Sequence, residues 1–154
     1  MAYSVFVSYS TQDLATADAL CSWIRQAGAE AFLAEYSVIP SAPLADEIVK
    51  AAKNCDLFVL LWSQNARGSE WVPQEIGIAK GLNKPIVPVV LNDGLELPGF
   101  IRDLKYLPLH KDPNAGVRWL HDHVVGRRKK KEQDALVALG VFGALLLLLA
   151  KASK

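Results

Sequence analysis

Cysteine is scarce in this chain. It occurs twice in 154 residues, as Cys21 and Cys55. The two lie far apart, match no metal-ligand spacing and sit in apolar surroundings, so they read as small core residues rather than as a redox pair. Glycine-rich phosphate loops are missing too. Neither GxGxxG nor GxxxxGK[ST] is present, which removes the two commonest nucleotide-binding fingerprints. The N-terminus has no basic stretch and no cleavage pattern. It opens on a strand-like run, so no secretory signal is expected and the domain is expected to face a reducing cytosol. Positive charge is also short over most of the chain. Residues 1–126 carry 10 Lys or Arg against 14 Asp or Glu, a net of −4. That balance argues against nucleic acid as a partner. There is no internal repeat.

What is present is a regular alternation. "YSVFVSYS" (3–10) reads as a buried strand. "TQDLATADALCSWIRQAG" (11–28) reads as a helix with Leu14, Ala17, Leu20, Cys21 and Ile24 on one face and Gly28 as its stop. "AEAFLAE" (29–35) is a second strand, "YSVIPSAP" (36–43) a loop, and "LADEIVKAAKNC" (44–55) a helix. "DLFVLLWS" (56–63) is apolar throughout, which suits a central strand. "KPIVPVVL" (84–91) is another strand, and its two prolines predict an end or a bulge. A loop with a short helix (92–104), a weak strand (105–110) and a closing helix (115–126) complete the order. Strands and helices alternating at this spacing predict a parallel sheet with helices on both faces, one domain over residues 1–126. The common order for such a sheet is 2-1-3-4-5. It opens a ligand crevice at the carboxyl ends of strands 1 and 3.

Two loops meet at that crevice, "SYSTQD" and "WSQNARGSEW", the second leading into a helix over "SEWVPQEIGIAKGL" (69–82). On that helix Trp71, Glu75, Ile78, Ala79 and Leu82 share a face, so a carboxylate interrupts an apolar stripe one turn after a tryptophan. The two glycines of "GIAKG" predict close packing of this helix on the sheet. "SYSTQD" lacks the glycines of a flavodoxin-type phosphate loop, and Asp13 lacks the companion aspartates of a receiver domain. His110, His121 and His123 read as surface residues.

The last segment differs in kind. "RRKKK" (127–131) puts five positive charges in five positions, and "ALVALGVFGALLLLLA" (135–150) is apolar on every side. As a helix those 16 residues span about 24 Å, against a hydrocarbon core of about 30 Å. With no polar face, the run reads as a transmembrane helix after a basic juxtamembrane linker (127–134), with "KASK" (151–154) beyond. The basic run marks the cytoplasmic side, which gives a tail-anchored chain with a cytoplasmic N-terminal domain in contact with membrane lipid.

Taken together, "VFVSYSTQD", "AFLAEYSVIPSAPLADEIVKAAKNCDLFVLLWS" and "SEWVPQEIGIAKGLNKPIVPVVL" resemble a TIR (Toll/interleukin-1 receptor) domain over about residues 3–125. The W-x-x-x-E spacing of Trp71 and Glu75 looks like the motif that carries the catalytic glutamate in NAD-consuming TIR enzymes. The resemblance implies a flavodoxin-like fold and cleavage of the nicotinamide–ribose bond of NAD. Glu75 would be catalytic, with Tyr9, Trp71 and Leu44 against the substrate and no metal. NAD would be substrate, not cofactor. The sequence departs from the family's pattern at Ala34, where an acidic residue is common, and at Ser41, where glycine is usual. The resemblance also implies self-association through TIR domains. Short membrane-tethered chains of this kind resemble bacterial anti-phage defence proteins, which deplete NAD or make a nucleotide signal for an effector protein. The competing reading is a non-enzymatic TIR adaptor acting by assembly at the membrane. Such adaptors commonly lack the glutamate. A third is a soluble domain whose apolar tail packs on a partner.

Overall fold

The structure is a computed structural model that describes residues 2–34 and 46–153. Five parallel strands form one sheet in the order β2-β1-β3-β4-β5. They are β1 (Ser4–Ser8), β2 (Glu30–Leu33), β3 (Leu57–Trp62), β4 (Ile86–Val90) and β5 (Leu107–Pro108). The helices are α1 (Leu14–Gln26), α2 (Asp46–Asn54), α3 (Gln64–Arg67), α4 (Trp71–Gly81) and α5 (Pro113–Ala152), with single 3-10 turns at Thr11–Asp13 and Gly99–Ile101. β3 is buried at all six positions and lies in the middle, as an unbroken apolar run requires.

Strand alternation divides the core in two. Val5, Val7, Leu57, Val59 and Leu61 face α1 and the first turns of α5. Phe6, Phe58, Leu60 and Trp62 face α2, α3 and α4. On that second side the rings of Phe6 and Phe58 stack at 5.2 Å and those of Phe6 and Phe32 at 5.4 Å, an aromatic row across three strands. Cys21 and Cys55 are free thiols in the two cores, where burial raises both pKa values.

Several expectations are corrected. Pro88 makes neither a strand end nor a bulge, because β3 and β4 pair one to one from Phe58↔Ile86 to Trp62↔Val90. The reason lies in the direction of the backbone groups. Leu91 N–H donates to Trp62, and Pro85 accepts from Phe58 N–H, so odd positions of β4 bond to β3. Pro88 therefore turns its missing N–H toward β5, whose pairing starts only at Val89↔Leu107. Leu14 is exposed instead of joining the buried face of α1. Gly77 and Gly81 do not pack on the sheet; a methyl group at either would meet nothing within 4 Å among the described residues. His110 is no surface residue. Its side chain is 16% exposed, and Nδ1 lies 3.3 Å from the Val90 carbonyl.

Helix α5 runs without a break from Pro113 to Ala152, so residues 126 and 134 both fall inside one helix. Its inner face descends through Gly116, Leu120 and Val124, all buried, then continues into Arg128 and Lys131. Arg128 Nε donates to the Ala27 carbonyl at 3.0 Å. Lys131 Nζ lies 2.8 Å from Asp56 Oδ2 and 2.9 Å from the Ala2 carbonyl. Part of the basic run is thus docked on the domain. Gly28, with φ +86°, accommodates this, since a Cβ there would meet Arg128 Nε at 2.7 Å. Beyond Lys131 the helix touches little. Its most apolar 18-residue window has a mean hydropathy of 2.3 and no buried share, and the helix is long and apolar enough to cross a membrane.

Candidate active site

The switch point between β1 and β3 holds a cleft of about 370 Å³, where the order 2-1-3-4-5 places a crevice. One wall is the loop after β1, with Ser10, Thr11 and Gln12. The other is the segment after β3, with Gln64, Asn65, Gly68, Ser69 and Trp71. Asp13 ties the walls together. One of its carboxylate oxygens accepts from the Ser63 hydroxyl and the other from Asn65 Nδ2 at 2.9 Å. Ser63 Oγ in turn accepts from Ala66 N–H at 3.0 Å and caps α3. Neither Ser63 nor Asn65 stands out in the sequence. A polar residue directly after a buried strand is the one available signal.

Ser69 Oγ accepts from the N–H groups of Trp71 and Val72 at 3.2 and 3.3 Å and so satisfies two donors at the start of α4. The buried face of α4 is Val72, Glu75, Ile76 and Ala79, rotated about one position from the expected stripe. Trp71 is left half-buried at the rim of the cleft, and Leu82 is exposed. Glu75 falls in the middle of the buried face, with 0% of its surface exposed. It is therefore not a partly exposed residue of the helix surface. Its Oε1 accepts a hydrogen bond of 3.1 Å from the Ser8 hydroxyl, itself fully buried at the end of β1. Taking a carboxylate out of water is costly unless it is hydrogen-bonded, and this chain keeps one a helical turn behind the cleft-lining Trp71.

Trp71 lines the cleft, and Glu75, one turn further along α4, is bonded to Ser8. Tyr9 packs in the other core, on the α1 and α5 side of the sheet. Leu44, Ser41 and the loop 36–43 lie outside the described residues. Ala34 is fully buried in the same core as Ile76. Ser8 was not singled out in the sequence, because only the layering of the helices reveals which strand face meets α4.

A five-stranded parallel sheet in this order, with a cleft between the loops after β1 and β3, fits the fold of a TIR domain. The chain matches the TIR domain family over residues 5–121 and belongs to it. No curated protein matches the chain. Among solved structures it is similar to the TIR domain of the Toll-related receptor TRR-2 from Hydra magnipapillata. That match is 23% identical with a TM-score of 0.63, covering 79% of this chain and 98% of that one. It is similar to a metazoan TIR-STING receptor from C. gigas at 24% identity and a TM-score of 0.55, covering 73% of this chain and 39% of the receptor. A CMP N-glycosidase, BcmB, from Clostridium botulinum matches at 19% identity and a TM-score of 0.55, over 75% of this chain and 97% of that one.

Proposed function

We propose that this chain cleaves the bond between nicotinamide and ribose in NAD, with Glu75 as the catalytic carboxylate. The observation that carries this reading is a fully buried Glu75 one helical turn behind Trp71, which lines the cleft at the ends of β1 and β3. The scissile C–N bond breaks with its electron pair leaving on nicotinamide, so positive charge builds on the ribose. A carboxylate fixed nearby stabilises that charge more than it stabilises the neutral sugar. Trp71, at the rim, offers a flat face to the cationic nicotinamide ring. Water completes the reaction by bonding to the sugar carbon and releasing a proton, giving ADP-ribose. An adenine nitrogen in the same place gives a cyclic product. The name of the Clostridium neighbour, a CMP N-glycosidase, supports a related bond type on this fold. In this reading NAD is the substrate, the TIR domains self-associate, and a nucleotide product or the loss of NAD serves defence signalling.

The apolar half of α5 is read as a membrane span with the TIR domain in the cytoplasm. It exposes its whole apolar window, which a soluble core helix does not do. The test is mass spectrometry of the full chain, in vesicles, incubated with NAD. Nicotinamide release is expected, and Glu75→Gln is expected to lower it by about a hundredfold, close to 2.7 kcal/mol of transition-state stabilisation. A folded Glu75→Gln chain with normal turnover rules out this mechanism, and a wild-type chain that assembles on vesicles without touching NAD is an adaptor.

A further inference from the structure

The underside of the domain holds a second cavity that the proposed chemistry does not use. It measures about 300 Å³ and lies between α5 and the starting ends of the central strands. Tyr3, Asp56 and Pro85 form the sheet side. His123, Arg127, Lys130, Lys131 and Asp134 form the helix side. These five positions follow one another at steps of four, three, one and three, a single stripe along α5. Lys131 is already engaged with Asp56 at 2.8 Å, so the Asp56 carboxylate is neutralised in place. Arg127 and Lys130 enter none of the ion pairs among the described residues. Asp134 is the one opposing charge left at the cavity. Tyr3 is buried and its pKa is pushed up to about 12, by burial first and by Asp56 next, so its hydroxyl is a donor at neutral pH. Burial and then Arg127 lower the pKa of His123, which leaves its ring neutral there.

The level of this cavity is what singles it out. The apolar run begins at Ala135, directly after the cavity-lining Asp134. Lys130 stands five residues above Ala135 and Arg127 eight, about 7.5 and 12 Å along the helix. The headgroup layer on each side of a bilayer is about 5–8 Å deep. With α5 inserted, the lower lip of the cavity lies in that layer.

We propose that this cavity receives the phosphate of an anionic phospholipid, gripped by Arg127 and Lys130 with the Tyr3 hydroxyl as a third donor. The proposal rests on reading α5 as a membrane span. A lipid is favoured over a soluble phosphate because its acyl chains lie beside the apolar half of the same helix, which holds the headgroup at high local concentration. It differs from diffuse attraction of a basic run, since Lys129 belongs to that run and does not line the cavity.

The experiment uses the full chain. Flotation with phosphatidylcholine vesicles comes first, because a chain that stays behind has no membrane span and the premise fails. Chains that float are then placed in nanodiscs of phosphatidylcholine with phosphatidylglycerol, and lipid retained after extraction is counted by native mass spectrometry. Retained phosphatidylglycerol is expected. Arg127→Gln with Lys130→Gln is expected to weaken retention about thirtyfold, the loss of two basic contacts, and Lys129→Gln to leave it unchanged. Equal loss in Lys129→Gln, or full retention in the double variant, overturns the site. So does displacement of phosphatidylglycerol by millimolar inorganic phosphate, which would make it a pocket for free anions.

Discussion

Ser8 and Glu75 form a pair that neither residue could form elsewhere in the fold. Ser8 shares its strand face with Phe6, so it points to the α4 side, where Val72, Glu75, Ile76 and Ala79 form the buried face of the helix. In such surroundings a hydrogen bond to a charged group contributes about 1.5–3 kcal/mol. Ser8→Ala is therefore expected to lower the thermal midpoint and to reduce nicotinamide release through kcat, with KM little changed, because Ser8 touches Glu75 and not the ligand-facing walls. Ser8→Cys, a weaker donor of similar shape, is expected to recover part of the loss. A KM effect equal to the kcat effect would show that Ser8 binds substrate directly. At this scale the sequence was readable where chemistry marks a residue: Trp71 and Glu75 stand out by type and by spacing. It was not readable where a common residue acts through its facing. Ser8 is such a residue: it bonds to Glu75, while its neighbour Tyr9 belongs to the core on the α1 and α5 side.

The elements follow the same logic. β3 was legible because a run buried on both faces is apolar throughout, and α1 because Ala17, Leu20, Cys21 and Ile24 repeat at helical steps. α4 was legible as a helix but not in its rotation. Apolar residues occupy most of its circumference, so the stripe through Val72 and Ile76 competes with the one through Trp71 and Ile78. The second half of the helix decides between them no better, because Gly77 and Gly81 carry no side chain to report a face. That leaves a test. Gly77 is mid-helix and exposed, and a Cβ there meets nothing within 4 Å among the described residues, so Gly77→Ala is expected to raise stability by about 0.5–1 kcal/mol. Gly28→Ala should do the opposite, at a cost of about 1–2 kcal/mol for a left-handed alanine, plus displacement of Arg128. Denaturant midpoints of the two variants should move in opposite directions. A stabilising Gly28→Ala would mean that Arg128 does not pack against that turn.

At the scale of the whole molecule, two ends of one sheet are given different work. The cleft lies at the carboxyl ends of β1 and β3, and α5 docks at the other end, on Ala2, Ala27 and Asp56. The six residues of β3 separate the two by about 20 Å. With α5 in the bilayer, the cleft opens away from the membrane and the domain stands on a continuous helix. The sequence separates the domain from the apolar run by a basic juxtamembrane linker at 127–134, whereas in the structure one unbroken helix spans all of it and Arg128 and Lys131 bond to the domain. The place where the chain is cut therefore matters. A chain ending at residue 134 keeps both contacts and is expected to be soluble and folded. A chain ending at residue 126 loses them, and with Lys131 and Asp56 both partly buried it should be less stable by about 1 kcal/mol or somewhat more. The same geometry bears on assembly. Domains standing upright in one plane meet side by side, at an effective concentration that free domains in solution do not reach. Gly140, Gly143 and Ala144 give the apolar helix small residues for close approach to a second copy. Residues 1–134 are thus expected to release nicotinamide poorly when dilute, with activity per chain rising steeply on concentration or on tethering to vesicles. Activity per chain that stays flat over a thousandfold dilution, with no gain on vesicles, would show that a single domain holds the complete site.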